Sequence, residues 1–174
     1  MSKPIKNTRI NNEVLRLQDI DFRSVVDLLT AFGLSLEKIN SNEDIPGSYW
    51  GDEEAGLIDN RLLARSDTPL HSILHEACHY ICMDHTRRDE VHTDAGGDYD
   101  EENGVCYLQI LLADQIDGFD QQRMLKDMDR WGYTFRLGSA QAWFEKDAED
   151  AVAWLQQHLL IDSQQQPTWN LRKE

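Results

Sequence analysis

The sequence lacks any apolar run approaching the roughly 20 residues that a helix needs to cross a bilayer. Its N-terminus carries charges but no apolar segment typical of a signal peptide. Cysteine is scarce too, and Cys78, Cys82 and Cys106 are an odd number without the spacing of a disulfide framework. Unpaired cysteines are typical of a reducing compartment. These absences predict a cytoplasmic protein with no membrane contact.

Basic residues are few relative to acidic ones. Lys and Arg number 17 against 32 Asp and Glu, for a formal charge of −15 over 174 residues. A surface of this sign repels phosphate backbones, so nucleic-acid binding is disfavoured. The length suits one domain with a substantial core. We expect an irregular N-terminal arm over 1–18, a single domain over 19–161 and a loose polar tail over 162–174.

One short segment carries most of the chemistry that the sequence offers. His75-Glu76-Ala77-Cys78-His79 is an H-E-x-x-H motif. On a helix, side chains four positions apart share a face with Cβ atoms about 5–6 Å apart, so both histidines could hold one metal ion. Glu76 could face a water on that ion and take up its proton. The motif indicates a hydrolytic metal site, the alternative being a core helix whose histidines are only hydrogen-bonded.

The flanking residues predict the helix that this motif requires. Asp67 or Thr68 could cap it, and Pro69 fits its first turn, where the missing N–H costs nothing. An apolar stripe follows helical spacing; its members are Leu70, Ile73, Leu74, Ala77 and Ile81. Cys78 and Cys82 could in principle add a metal ligand, but the absence of C-x-x-C spacing favours structural roles for the cysteines.

A second helix is predicted to follow a polar loop over residues 87–100. Asp100 could cap it, and Glu101 and Glu102 fall in its first turn, where carboxylates favour the helix dipole. One of these glutamates could also complete a His₂Glu zinc set, because catalytic zinc normally has three protein ligands. Loop residues that could orient a ligand histidine, or simply be solvated, are His92, Asp94 and Asp98.

The remaining periodicities predict an α+β fold with a small mixed or antiparallel sheet packed on the motif helix. Further helices are expected from Asp19 or Asp21 to Phe32, and at about 120–130, 139–145 and 148–160. A short strand is expected at 34–39, and a short strand or an extended segment at 133–137. Residues 56–64 read as a hairpin turning at Asp59-Asn60. Its edge could bind an extended peptide by strand addition, or be an ordinary sheet edge.

The motif resembles that of the zincin metallopeptidase superfamily. Over residues 50–114, the order of hairpin, His-Glu helix, polar loop and glutamate-led helix resembles the ImmA/IrrE-type metallopeptidase domains. Their second helix has a pattern like E-x-x-A-N-x-F-A-x-x-L-L, which Glu102–Leu112 follows loosely. Cys106 stands in place of the asparagine and Gln109 in place of the second alanine.

This resemblance implies a zincin-like fold that binds Zn²⁺ through His75, His79 and Glu102. Glu76 would then be the general base. Peptides or proteins would be the substrates. Groups that could stabilise the developing oxyanion are Tyr133, His92 or an arginine.

A rival third ligand is His85. The spacing His75, His79, His85 resembles the longer metzincin pattern, but Cys82 stands where that pattern has glycine. A cysteine entering the φ > 0 conformation of that glycine would be strained. His79–His85 is also similar to the H-x-x-G-x-D-H end of the YbeY-type metal-dependent ribonucleases, although those chains finish soon after it.

The sequence therefore predicts a zinc-dependent, peptidase-like hydrolase. Two alternatives stay open. One is a zincin-like module without turnover, whose metal site senses or stabilises and whose surface binds a protein partner. The other is a YbeY-like ribonuclease, which the acidic surface disfavours.

Overall fold

The computed structural model describes residues 14–48, 52–91 and 96–174. Within them, seven α-helices and three β-strands form the predicted α+β architecture. The helices are Phe22–Ala31 (α1), Leu70–Cys82 (α2), His85–Arg88 (α3), Tyr99–Leu112 (α4), Gln121–Trp131 (α5), Ala140–Lys146 (α6) and Glu149–Gln157 (α7). The strands are Ser35–Lys38 (β1), Gly56–Ile58 (β2) and Arg61–Ala64 (β3). No described helix is both long and apolar enough to cross a membrane.

The three strands form a small mixed sheet. β3 lies in the centre, parallel to β1 and antiparallel to β2. β2 and β3 are the predicted hairpin, and Asp59 at its turn adopts φ 53°, in the left-handed region that such turns use. Leu57 and Leu62 pair across the two strands and are fully buried. Both strands contact α2, so the sheet packs on the motif helix as predicted.

The outer edge of β2 is partly covered by the chain itself. The Leu57 backbone N–H donates to the Gly47 carbonyl, and Ser48 forms a bridge with Gly56. The sequence left open whether an extended peptide binds this hairpin by strand addition. The backbone groups with which such a peptide would pair are already used by the chain itself. The structure favours the ordinary sheet edge.

The helices predicted outside the motif are present. Side chains of Asp21, Asp120 and Ser139 accept hydrogen bonds from the first turns of α1, α5 and α6. Gly132 ends α5 at φ 105°, a conformation that glycine adopts without strain. α7 ends at Gln157 and is shorter than predicted.

The start of α2 differs from the prediction. Its N-cap is Pro69, and neither Asp67 nor Thr68 supplies a side-chain cap. The Thr68 hydroxyl instead accepts the Arg65 backbone N–H at 2.8 Å. Thr68 therefore stabilises the turn that connects β3 to α2, a role that local sequence preference does not distinguish from helix capping.

The segment 133–137, predicted as a short strand or an extended segment, is irregular and pairs with none of the three strands. The Phe135 ring stacks on the Trp143 ring of α6 with centroids 5.0 Å apart. Packing of aromatic side chains, rather than backbone pairing, therefore holds this segment beside the helices.

Both ends of the described chain lie against the domain. Val14 and Leu17, in the predicted irregular arm, are buried, and residues 1–13 of that arm lie outside the described residues. In the predicted loose tail, the Arg172 backbone N–H donates to the Ile81 carbonyl, and its guanidinium pairs with Glu101 at 2.8 Å. Distant partners thus supply these residues with contacts that composition does not reveal.

α2 and α4 lie at the centre of the core. Every residue of α2 is buried, and α4 is buried from Asn103 onward. α4 packs between α2 and α7, and a Cβ atom built on Gly104 would lie 2.7 Å from Cε3 of Trp154 in α7. Glycine at this position therefore sets how closely the two helices approach.

We expect Gly104→Ala to lower the free energy of unfolding, measured in urea. The overlap with Trp154 costs about 1–3 kcal/mol, which outweighs the gain of about 1 kcal/mol from alanine in a helix. In a Trp154→Leu background the same change should cost much less, because the ring is gone. Equal or greater stability of Gly104→Ala in the native background would contradict this account.

Candidate metal centre

α2 brings His75 and His79 together on one face, as their spacing predicts. Their Nε2 atoms are 3.1 Å apart. The ring centroids are 4.7 Å apart, and the ring planes are nearly perpendicular at 87°. Both residues are buried, with 6% and 1% of their surface exposed. The two imidazoles therefore direct their Nε2 atoms toward a common point.

α4 supplies a carboxylate at the same point. This helix begins at Tyr99 because the side chain of Asp98, not the predicted Asp100, accepts the Glu101 backbone N–H. With this start, Glu102 Oε1 lies 3.2 Å from His79 Nε2, and Glu102 Oε2 lies 4.0 Å from the Nε2 of the other histidine. The three residues predicted as ligands are thus brought together by two helices.

The spacing of the donor atoms fits a divalent ion. Two ligand atoms held about 2.0–2.1 Å from a tetrahedral zinc ion lie about 3.3 Å from each other. The separations of 3.1 Å between the imidazole nitrogens and 3.2 Å between His79 and Glu102 are close to this value. One donor atom from each residue lies within 4.8 Å of the others. Two imidazoles and a carboxylate leave a fourth position of zinc open.

Gln109 orients one of these imidazoles. Its Oε1 lies 2.7 Å from His75 Nδ1, and its side-chain N–H donates to the His71 carbonyl at 3.3 Å. Because an amide oxygen only accepts, the His75 Nδ1 carries the proton and its Nε2 keeps a lone pair toward His79 and Glu102. Sequence reasoning noted Gln109 only as a departure from a family pattern. Its position two turns after Glu102, on the same helix face, was the signal for this role.

Tyr133 packs against the same imidazole from another side. Its ring centroid lies 5.7 Å from that of His75, and its hydroxyl lies 3.2 Å from His71 Nδ1. Burial raises the pKa of Tyr133 well above its usual range, and the negative charge of Glu76 acts in the same direction. Burial also lowers the pKa of His71 well below its usual range. Both side chains are therefore neutral near pH 7.

The residues predicted as alternative third ligands, His85 and Glu101, do not face the two histidines. His85 is exposed in α3, where its Nδ1 contacts the Lys173 carbonyl. α2 continues through Cys82, so the chain makes no sharp turn where the metzincin pattern has glycine. The Glu101 carboxylate is engaged by two arginines, at 2.7 Å and 2.8 Å. Glu102 is therefore the acid that faces the histidines.

The other polar residues singled out in the sequence fall into two groups. Asp98 caps α4, which accounts for its carboxylate without a role in orienting a histidine. His92 and Asp94 lie outside the described residues.

The three cysteines are buried and unbridged. Burial raises the pKa of each thiol well above its usual range. A protonated thiol is a poor metal ligand, so this environment favours the structural role expected for Cys78, Cys82 and Cys106.

Comparison with known proteins adds no relative to this description. The chain matches no family model, no curated protein and no solved structure. Any function assigned to it therefore rests on the chemistry of its own residues.

We expect Gln109→Leu to weaken zinc binding by about ten- to hundredfold, the usual effect of losing the group that orients a ligand histidine. The measurement is a competition titration against a chromogenic chelator. Gln115→Leu, at an exposed position beyond the end of α4, is the control and should leave the zinc Kd unchanged. Unaltered affinity in Gln109→Leu would show that Gln109 does not orient His75.

Proposed function

We propose that this protein is a zinc-dependent hydrolase of the peptidase type, built on a zincin-like site. The observation that carries the proposal is the convergence of two imidazole nitrogens and one carboxylate oxygen, at 3.1 Å and 3.2 Å, from two packed helices. His75, His79 and Glu102 would hold the ion. Glu76 follows the first of these ligands in α2 and is itself buried.

In this proposal each of these residues has a role in the hydrolysis. When bound, zinc supplies a Lewis acid that activates water and polarises a carbonyl group. Glu76 takes up the proton of the attacking water and passes it to the leaving amine. Gln109 holds the His75 ring so that its lone pair remains directed at the ion. Among the residues that the structure describes, Tyr133 is the candidate to donate a hydrogen bond to the developing oxyanion. Its hydroxyl is neutral, and its ring lies beside the same imidazole.

A metal-binding module without turnover is the second candidate. The observation that favours it is the burial of the site, since His79 is 1% exposed and the Glu102 side chain 19%. A site closed to solvent suits an ion that stabilises the fold, or a protein that senses the metal. The two candidates share the same ligands and differ in what Glu76 does.

The ribonuclease alternative has less support. It requires His85 at the metal, whereas this residue is exposed and contacts the C-terminal segment. The net charge of −15 also opposes binding to a phosphate backbone.

We expect Glu102→Ala to lose bound zinc, because it removes one of three ligands. His85→Ala should retain the ion, because that side chain lies outside the cluster. Metal content of protein purified without a His-tag and dialysed against zinc measures both. Loss of zinc from His85→Ala, with retention in Glu102→Ala, would show that the third ligand is assigned wrongly.

We expect Glu76→Gln to retain zinc and to lose hydrolysis of a fluorescently labelled casein by about a hundredfold or more, the usual contribution of a general base. Glutamine keeps the shape of the side chain and removes its basicity. Glu90→Gln, at an exposed position, is the control for the loss of one negative charge. If zinc-loaded wild-type protein shows no hydrolysis above that of Glu76→Gln, the site does not turn over.

A further inference from the structure

Residues 168–173, which we call the strap, run from the end of α7 across the domain to the ends of α2 and α4. The Trp169 ring stacks on the ring of Phe32, at the end of α1, with centroids 5.2 Å apart. Further along, the Arg172 backbone N–H donates to the Ile81 carbonyl at 2.9 Å. The strap therefore lies against the motif helix close to the C-terminal end of that helix.

The Arg172 guanidinium joins α2 to α4. Its Nη1 group donates to the Cys82 carbonyl at 3.1 Å and to Glu101 Oε1 at 2.8 Å. These two residues are the last of α2 and one in the first turn of α4. A cation is favoured at the negative end of a helix dipole, and a carboxylate at the positive end. The ion-paired side chains are 18% and 3% exposed, so salt and water screen their contact little.

A second arginine fastens the backbone of the strap to the same end of α2. The Arg88 guanidinium of α3 donates to the Met83 carbonyl at 2.7 Å and to the Arg172 carbonyl at 2.6 Å. Met83 is the C-cap of α2. A change in the Arg172 side chain therefore leaves these backbone contacts of the strap in place.

The guanidinium bridge lies beside two of the predicted metal ligands. His79 precedes Cys82 by three residues, about 4.5 Å along the axis of α2. Glu102 directly follows Glu101 in α4.

The bridge acts on the one ligand distance that depends on how the two helices are placed. The 3.1 Å between the histidine nitrogens is set within α2, whereas the 3.2 Å between His79 Nε2 and Glu102 Oε1 spans α2 and α4. Zinc–ligand distances in proteins lie within about 0.2 Å of their standard values. A contact that fixes the ends of these helices to each other therefore affects the affinity for the ion.

We propose that Arg172 is a positioning residue of the metal centre and that docking of the strap is coupled to metal binding. The bridge holds α4 against α2, so that Glu102 stays within reach of an ion on His79. Coupling between two sites is reciprocal, so zinc in turn stabilises the docked strap. The inference rests on the ligands named in the proposed function and requires no turnover. It gives the site a form of regulation, because lifting the strap from α2 lowers the zinc affinity.

The first test compares zinc Kd values by titration against a chromogenic chelator. Arg172→Met removes the bridge, and Arg87 still pairs with Glu101. The Kd should rise by about three- to thirtyfold, the range over which residues of such networks act. A contact that only stabilises the fold would lower the free energy of unfolding and leave the Kd of the folded protein unchanged.

Lys173→Met is the matched control. It makes the same change in net charge at an exposed neighbour, whose contact with α3 is made by its carbonyl. The zinc Kd should change by less than about twofold. Arg172→Lys keeps the charge but loses the planar fork of the guanidinium, so its Kd should lie between those of the wild-type protein and Arg172→Met.

The second test needs no variant and follows amide hydrogen exchange by NMR in the wild-type protein, with and without zinc. The Arg172 amide reports docking of the strap, because it donates to the Ile81 carbonyl. The Asp162 amide donates to the Gln166 carbonyl in a turn outside the strap and is the control. Zinc should slow exchange at Arg172 by about threefold or more and change it at Asp162 by less than about twofold.

Two results would each overturn the coupling. One is an unchanged zinc Kd in Arg172→Met. The other is an Arg172 amide whose exchange zinc slows no more than that of Asp162, since equal slowing is global stabilisation by the ion.

The outcomes also separate this proposal from the proposed function. If the wild-type protein shows the coupling but hydrolyses no casein, the strap stands and the hydrolase falls. If it hydrolyses casein with zinc while Arg172→Met binds zinc as the wild type does, the hydrolase stands and the coupling falls. A wild-type protein that binds no zinc would overturn the metal centre and the coupling together.

Discussion

The packing of α2 against α4 is the constraint on which the candidate site depends. Both helices are buried on nearly all sides, so each polar side chain that they carry loses its water and must find a partner in the interior. The imidazoles of His75 and His79 meet the Glu102 carboxylate, and Gln109 takes the remaining nitrogen of the first ring. These four polar side chains, on two helices, thus contact one another. A divalent ion at their centre would neutralise the carboxylate without adding a buried charge that lacks a partner.

Adjacent glutamates at the start of α4 have different surroundings, and this difference decides which one serves the site. Successive residues on a helix point about 100° apart, so Glu101 and Glu102 face different neighbours. Glu101 lies between Arg87 and Arg172, whereas Glu102 faces the histidines. The arginine from the C-terminal segment therefore does more than fasten the chain end. Together with Arg87 it engages the Glu101 carboxylate, and Glu102 is left facing the histidines.

Features encoded by short-range spacing were predictable from the sequence. The i, i+4 histidines, the Asp59-Asn60 hairpin and the caps at Asp120 and Ser139 each depend on neighbours within a few residues. Other features depend on contacts between distant segments. The hydrogen bond from His75 to Gln109 joins residues on two helices, and the docking of Arg172 on Glu101 needs the folded chain. Periodicity carries no information about such pairs, which is why the tail was predicted to be loose.

The two candidate functions make different demands on the same buried site. An ion that only stabilises the fold needs ligands, and the interior location then strengthens their interactions because water is excluded. A hydrolase needs in addition a route by which a peptide bond reaches the ion. The Glu102 side chain is the most exposed of the three predicted ligands, so such a route would reach the site from the side of α4.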